Sequence, residues 1–298
     1  MKKTLLLLLL ACVTRLSFAQ TDSIQIFLDS IESTFVYQYG EIKLDNQIGI
    51  LQIPEGFRYL DPKQSEVVLK DLWGNPNGAG TLGMIVPENT GLLADNSWAF
   101  IITYDEMGYV KDDDADEIDY DDLLSEMQDD TKAANEERTS QGYESIELIG
   151  WAAKPFYDAN KKVLHWAKEI KFGTSDFNTL NYNVRILGRK GVVVMNAVAS
   201  MNELDEVQAN IDPVLASFQF QDDLQYSKFN PALDDVAAWG IGGLVAGKVL
   251  AKVGIFAFLL KYLKLIGLGI AGLAGGLWKW WKRKTELPEV RNIEESNS

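Results

Sequence analysis

The 298-residue sequence contains one cysteine and one histidine, and it lacks an apolar run of the roughly 20 residues that a simple membrane-spanning helix requires. Cys12 falls in the N-terminal leader, so cleavage of that leader leaves no disulfide, no thiol nucleophile and no thiolate metal site. Residues 20–221 lack any linker-like composition or internal repeat, and are enough for one sizeable core or two small ones. Residues 239–284 lack acid altogether. They carry eight Lys or Arg without one Asp or Glu, in a chain whose net charge is −15.

Both ends carry targeting character. Met1, Lys2 and Lys3 form a basic start, residues 5–10 an apolar core, and Ser17-Phe18-Ala19 a small-residue cleavage site, so residues 1–19 read as a signal peptide. The alternative uses Leu9-Leu10-Ala11-Cys12 as a lipoprotein box with Cys12 lipidated. Removing Lys2, Lys3 and Arg15 takes the charge from −15 to −18. An ectodomain this acidic is a poor ligand for nucleic acid or anionic lipid.

At the other end the apolar runs are short: residues 253–260 and 265–278. At about 100° per residue, Lys248 and Lys252 share a helix face, while Lys261 and Lys264 lie opposite. No single rotation hides all four, so a break near Gly254 is expected. Residues 222–252 then form a connector and an interfacial or packing helix with Gly243 and Gly247 as a small-residue face. Residues 253–281 form a tilted span with Lys261 and Lys264 snorkelling, and residues 282–298 a basic then polar tail. Trp278, Trp280 and Trp281 mark the interface, and Lys282, Arg283 and Lys284 the cytoplasmic side. A two-helix hairpin is the alternative topology. A soluble protein with a glycine-rich buried hairpin is the third, disfavoured by the cost of glycine in an aqueous helix.

Between the ends, periodicity predicts an α+β fold. Helices are expected at residues 23–32, from Asp61-Pro62 through Leu72, at 119–138 with one apolar stripe, and at 203–218. Strands are expected at 49–53, 81–86, 98–104, 145–153, 163–172, 180–187 and 191–199, the last two joined as a hairpin at residues 188–191. Adjacent strands with helices at the ends imply an antiparallel sheet with flanking helices.

Chemistry-bearing motifs are weak. Residues 105–130 hold thirteen acids and one base, Lys111. Asp112, Asp114 and Asp116 match the first ligands of a calcium loop, yet Glu117 stands where glycine is needed and Leu123 where the bidentate glutamate belongs. The ordinary reading is a solvated loop before a helix whose N-terminus favours Asp119, Asp121 and Asp122; a docking surface for a basic partner is the other. His165 is a general-base candidate only if an acid pairs with it across the sheet. Trp73, Trp98 and Trp151 are candidates for an exposed aromatic groove, with core packing as the bland alternative. No cofactor is implied.

Residues 51–60 (LQIPEGFRYL) and 68–76 (VLKDLWGNP) resemble the opening of an uncharacterised bacterial membrane-anchored family, domain-of-unknown-function family 2167. Residues 104–110, Gly150-Trp151-Ala152 and residues 237–248 fit it as well. The resemblance implies an exported domain fixed by its C-terminus to a bacterial cell membrane, periplasmic in a Gram-negative cell, and it supplies no catalytic residues. A Pro-Glu-Gly-Phe opening and a last helix ending at residues 217–220 are similar, at fold level, to PsbP and Mog1-like domains, which are mostly binding or assembly proteins. The combined expectation is a membrane-anchored extracytoplasmic binding or assembly domain, touching lipid through its anchor and an unidentified protein through its domain. An envelope-associated hydrolase and a membrane-assembly protein acting through its small-residue helices are the alternatives.

Overall fold

A computed structural model describes residues 26–247 apart from 27, 74–79 and 95. The signal peptide with Cys12, the turn cluster at residues 74–78, and the anchor with Lys248, Lys252, Lys261, Lys264, Trp278, Trp280, Trp281, Lys282, Arg283 and Lys284 lie outside the described residues. Among the described residues no helix is long and apolar enough to cross a membrane.

The chain folds as α+β with antiparallel sheets. The larger sheet has strands β3 (Phe57–Leu60), β4 (Thr81–Pro87), β5 (Ala99–Asp105), β6 (Ile146–Asp158), β7 (Val163–Phe172), β8 (Thr179–Leu187) and β9 (Val192–Ser200). Their order is β3-β4-β5-β9-β8-β7-β6, every pair antiparallel. A smaller sheet joins β1 (Glu41–Lys43), β2 (Gly49–Gln52) and β10 (Phe218–Phe220) in the order β1-β2-β10.

The two faces of the large sheet are covered differently. On one face Tyr182, Val184, Val193, Met195, Phe100 and Ile102 meet Leu51 and Phe220 of the small sheet and Val207, Ile211 and Val214 of two short helices, forming the main core. On the other face the buried apolar residues fall into three clusters. The helix Pro62–Val67 and its wider turn Val68–Leu72 cover the β3–β5 side with Val68 and Leu69. The long helix Tyr120–Ser140 covers β6 and β7 through Met127. The short helix Ile241–Ala246 packs Ile241, Leu244 and Val245 beside Leu164, Trp166 and Val194.

Local chemistry explains most element ends. Asp61 caps the first of these helices by accepting from Gln64 N at 2.9 Å, with Pro62 in its first turn, where no donor is missed. Asp119 caps the long helix through the amides of Asp121 and Asp122, and its apolar stripe is narrow because only one side meets the sheet. The expected helix over 203–218 is instead two helices, Leu204–Ala209 and Ile211–Ala216, followed by β10. Pro213 has no amide to donate to Ala209, so the ladder breaks at Asn210, whose φ is −101° and ψ 0°. Residues 218–220, expected as the end of that helix, pair with β2.

Candidate functional site

Two constructions on the second face carry polar groups that the core does not need. The first is the acidic segment. Asp112 Oδ2 accepts from Tyr157 Oη at 2.7 Å and from Lys162 Nζ at 2.7 Å, and Asp112 Oδ1 lies 3.0 Å from Tyr226 Oη. Burial alone would raise the Asp112 pKa; the hydrogen bonds from Lys162, Tyr157 and Tyr226 outweigh it, and the carboxyl is held below its ordinary range. Asp114 Oδ1 and Oδ2 accept from the amides of Ile241 at 2.8 Å and Gly242 at 3.0 Å, which satisfies the free N–H groups that open the helix Ile241–Ala246.

Those contacts hold residues 222–247 against the loop that follows β5. Tyr109 donates its amide to Asp235 O at 2.8 Å and accepts from Ala237 N at 2.9 Å. Its ring stacks on Phe229 and Tyr226 at centroid distances of 3.8 and 4.4 Å. Arg189 Nε donates to Asp234 Oδ2 at 2.7 Å. The backbone approach is close enough to require glycine: Gly108 has φ 91°, and a Cβ there would stand 2.8 Å from Asp235 O. At Gly240 a Cβ would collide with the Asp114 carboxylate.

The three metal candidates are therefore divided. Asp112 is engaged by a lysine and tyrosines, Asp114 by a helix N-terminus, and Asp116 is exposed. Among the described residues no group of three His, Cys, Asp or Glu side chains is arranged to hold a metal ion. Gly243 does not form a free small-residue face with Gly247: a Cβ on Gly243 would meet Trp239 Cβ at 2.5 Å, and Gly247 ends the helix in the left-handed region at φ 70°.

The second construction is a polar row in the middle of the sheet. Register places Trp166, Asn183 and Asn196 directly across from one another on β7, β8 and β9, with Lys168 opposite Asn181 and Leu164 opposite Arg185. Asn181, Asn183 and Arg185 are buried, whereas Lys168 and Asn196 are half-buried. Asn183 Nδ2 donates to Asn181 Oδ1 at 2.7 Å, and Arg185 reaches Asn183 Oδ1 at 3.4 Å with its guanidinium 5.1 Å from the Trp166 ring centroid. Burial pushes Lys168 down to about 8, helped by the charge of Arg185. Burial likewise pushes Arg185 down to about 10 against the pull of Asp105.

Three atoms on this face are buried without a hydrogen-bond partner: Trp166 Nε1, Asn196 Oδ1 and Thr179 Oγ1. Each such atom costs about 1–3 kcal/mol. Among the described residues neither the buried Arg185 nor the half-buried Lys168 has a carboxylate in hydrogen-bond reach, which adds to that cost in a protein otherwise rich in acid. The sequence carries a signal for this row that periodicity alone leaves unread. Asn181, Asn183 and Arg185 recur at spacing two between Leu180, Tyr182, Val184 and Ile186, which reads as one wet strand face, yet the structure buries both faces of β8.

His165 lies on the opposite, main-core face. Its Nδ1 is 3.0 Å from Tyr182 Oη, and its ring meets Phe156 edge-on. Burial lowers its pKa, while Asp212 and Asp158 act on it by charge alone, so no carboxylate orients the imidazole as a general base would need. The three tryptophans do not share a groove. Trp98 is buried in the main core between Phe57 and Phe100, Trp73 donates to Leu92 O at 2.9 Å, and Trp151 donates to Tyr120 O at 3.0 Å.

Comparison with known proteins adds the family. No curated protein matches the chain. Among solved structures, cyanobacterial PsbP (CyanoP) from Synechocystis sp. PCC 6803 is similar at 15% identity and a TM-score of 0.34, over 62% of this chain and 92% of that one. The family described as "Protein of unknown function (DUF2167)" matches over residues 36–275, and on that extent the chain belongs to the DUF2167 family.

Proposed function

We propose that the protein is a membrane-tethered extracytoplasmic domain that works by binding or assembly. The observation that carries this reading is the attachment of residues 222–247 to the domain by Asp112 through Tyr226, and by Asp114, Tyr109 and Arg189. That segment leads into the acid-free, tryptophan-flanked run at the C-terminus, whose composition is that of an anchor with a positive cytoplasmic end. A domain gripping the chain just before its anchor is held at a fixed orientation to the bilayer, which serves presentation of a surface. The His165 form of the hydrolase alternative is not supported, because the imidazole is hydrogen-bonded to Tyr182, and Asp212 and Asp158 act on it by charge alone.

Fractionation and crosslinking in membranes test this. The full chain should sediment with membranes, and a chain ending at Gly247 should be released in soluble form into the exported fraction. A crosslinked partner shared by both forms supports recognition by the domain. A full chain that is soluble, or a partner captured only when the anchor is present, overturns the reading.

A further inference from the structure

Trp166 packs into the cluster under the helix Ile241–Ala246, but its indole N–H takes no part in that packing. The Lys168 backbone pairs in the sheet, but its ammonium makes no hydrogen bond or ion pair among the described residues. Arg185, 7% exposed, spends its guanidinium on Val184 O at 3.1 Å and on Asn183 at 3.4 Å. Asp105 stands on the same face at the end of β5, opposite Val192, and is linked to Arg185 by charge without a salt bridge. Two cations and an indole N–H that meets no acceptor stand here beside three side-chain amides, of which Asn196 leaves its Oδ1 without a donor.

We propose that Lys168, Arg185, Asn183 and Asn196, with Trp166, form a binding site for the carboxylate or phosphate group of a small molecule. An oxyanion offers an acceptor to the Trp166 indole N–H and to the Lys168 ammonium. A guanidinium fork and an ammonium match its charge, and the Trp166 Nε1–H and the asparagine amides supply neutral donors. Lys168 and Asn196 are half-buried, while Arg185 and Trp166 lie deeper. Such a site also accounts for cations kept in an apolar sheet, because their desolvation is offset only when a counter-charge arrives. The site is a small-molecule site and stands apart from the tethering reading.

The test uses the full chain purified in mild detergent, titrated at pH 7 and constant ionic strength with citrate in one arm and inorganic phosphate in the other. Sodium chloride is the control, and both thermal midpoint and tryptophan fluorescence are followed. At least one anion should raise the midpoint saturably above chloride. Lys168→Gln and Asn196→Ala, on half-buried positions, should raise the half-saturating concentration tenfold or more, and exposed Lys132→Gln should leave it within twofold. Saturation by citrate alone assigns a carboxylate ligand, and by phosphate alone a phosphate ligand. Absence of stabilisation by both anions, or half-saturation in Lys168→Gln and Asn196→Ala within twofold of the unaltered chain, overturns the proposal. Because purified protein is used, neither a failed membrane assignment nor a missing protein partner alters the outcome.

Discussion

Replacing Asp112 with alanine removes an acceptor shared by Tyr157, Lys162 and Tyr226, and the size of the effect can be worked from the contacts. Tyr157 and Lys162 lose their partner outright, whereas Tyr226 keeps Val110 O at 2.8 Å. A hydrogen bond to a charged group contributes about 1.5–3 kcal/mol when buried, and Lys162, at 32% side-chain exposure, regains water and falls at or below the low end. Tyr157 and Lys162 together give a loss of about 2–3 kcal/mol, which for a domain of this size lowers the thermal midpoint by about 5–10 °C. Asp112→Asn keeps one acceptor oxygen and loses the charge, so about half of that loss is expected. Asp113→Ala, on the neighbouring exposed carboxylate, is the control and should stay within about 0.5 kcal/mol. The assay is thermal unfolding of the full chain followed by circular dichroism. Because Asp112 titrates below its ordinary range when folded, its stabilisation is complete above the unfolded carboxylate pKa and lost as pH falls through the folded one. The gap between the unaltered chain and Asp112→Ala should therefore close in acid. Equal midpoints for Asp112→Ala and Asp113→Ala at neutral pH would refute the reasoning.

Three further outcomes follow from the same geometry. Gly240→Ala forces a Cβ into the Asp114 carboxylate and should release the helix Ile241–Ala246, read as new protease cleavage after residue 230 with the sheet intact. Arg138→Met leaves Glu144 O without the two donors that reach it at 2.9 and 3.1 Å, and should cost about 2 kcal/mol in chemical unfolding. His165 faces Tyr182, Phe156, Asp212, Asp158 and Lys161, and burial lowers its pKa, so the fold favours the neutral ring. The His165 contribution, read as the difference between the unaltered chain and His165→Gln in chemical unfolding between pH 5 and 8, should be flat above about pH 6.5 and decline as pH falls through the folded pKa.

Much of the fold was legible because period-two and period-3.6 patterns survive in the chain. β7 runs from Val163 to Phe172 as alternation predicts, the hairpin at Gly188 closes β8 onto β9, and Asp61 and Asp119 cap the helices they precede. What pattern misses is set by partners distant in sequence. β1 and β10 are three residues each and form only because β2 lies between them. The acidic segment reads as a solvated loop until residues 109–114 are seen to receive the backbone of residues 235–242, more than a hundred positions away. The polar row reads as a wet face because burial of a sheet centre depends on what covers it, and nothing local encodes that. His165 was visible as a lone imidazole, but its lack of an acid partner is a property of three dimensions.

The central claim is that the acidic loop clasps residues 222–247, and hydrogen exchange of the full chain tests it most directly. The amides of Tyr109, Ala237, Ile241 and Gly242 each have an acceptor across this junction, at 2.8, 2.9, 2.8 and 3.0 Å. They should exchange slowly, and in Asp114→Ala the amides of Ile241 and Gly242 should exchange on the order of tenfold faster, as expected for loss of a helix cap of about 1.4 kcal/mol, with β8 and β9 unchanged. Exchange of these four amides at the rate of an unstructured chain, in the unaltered protein, would contradict the account.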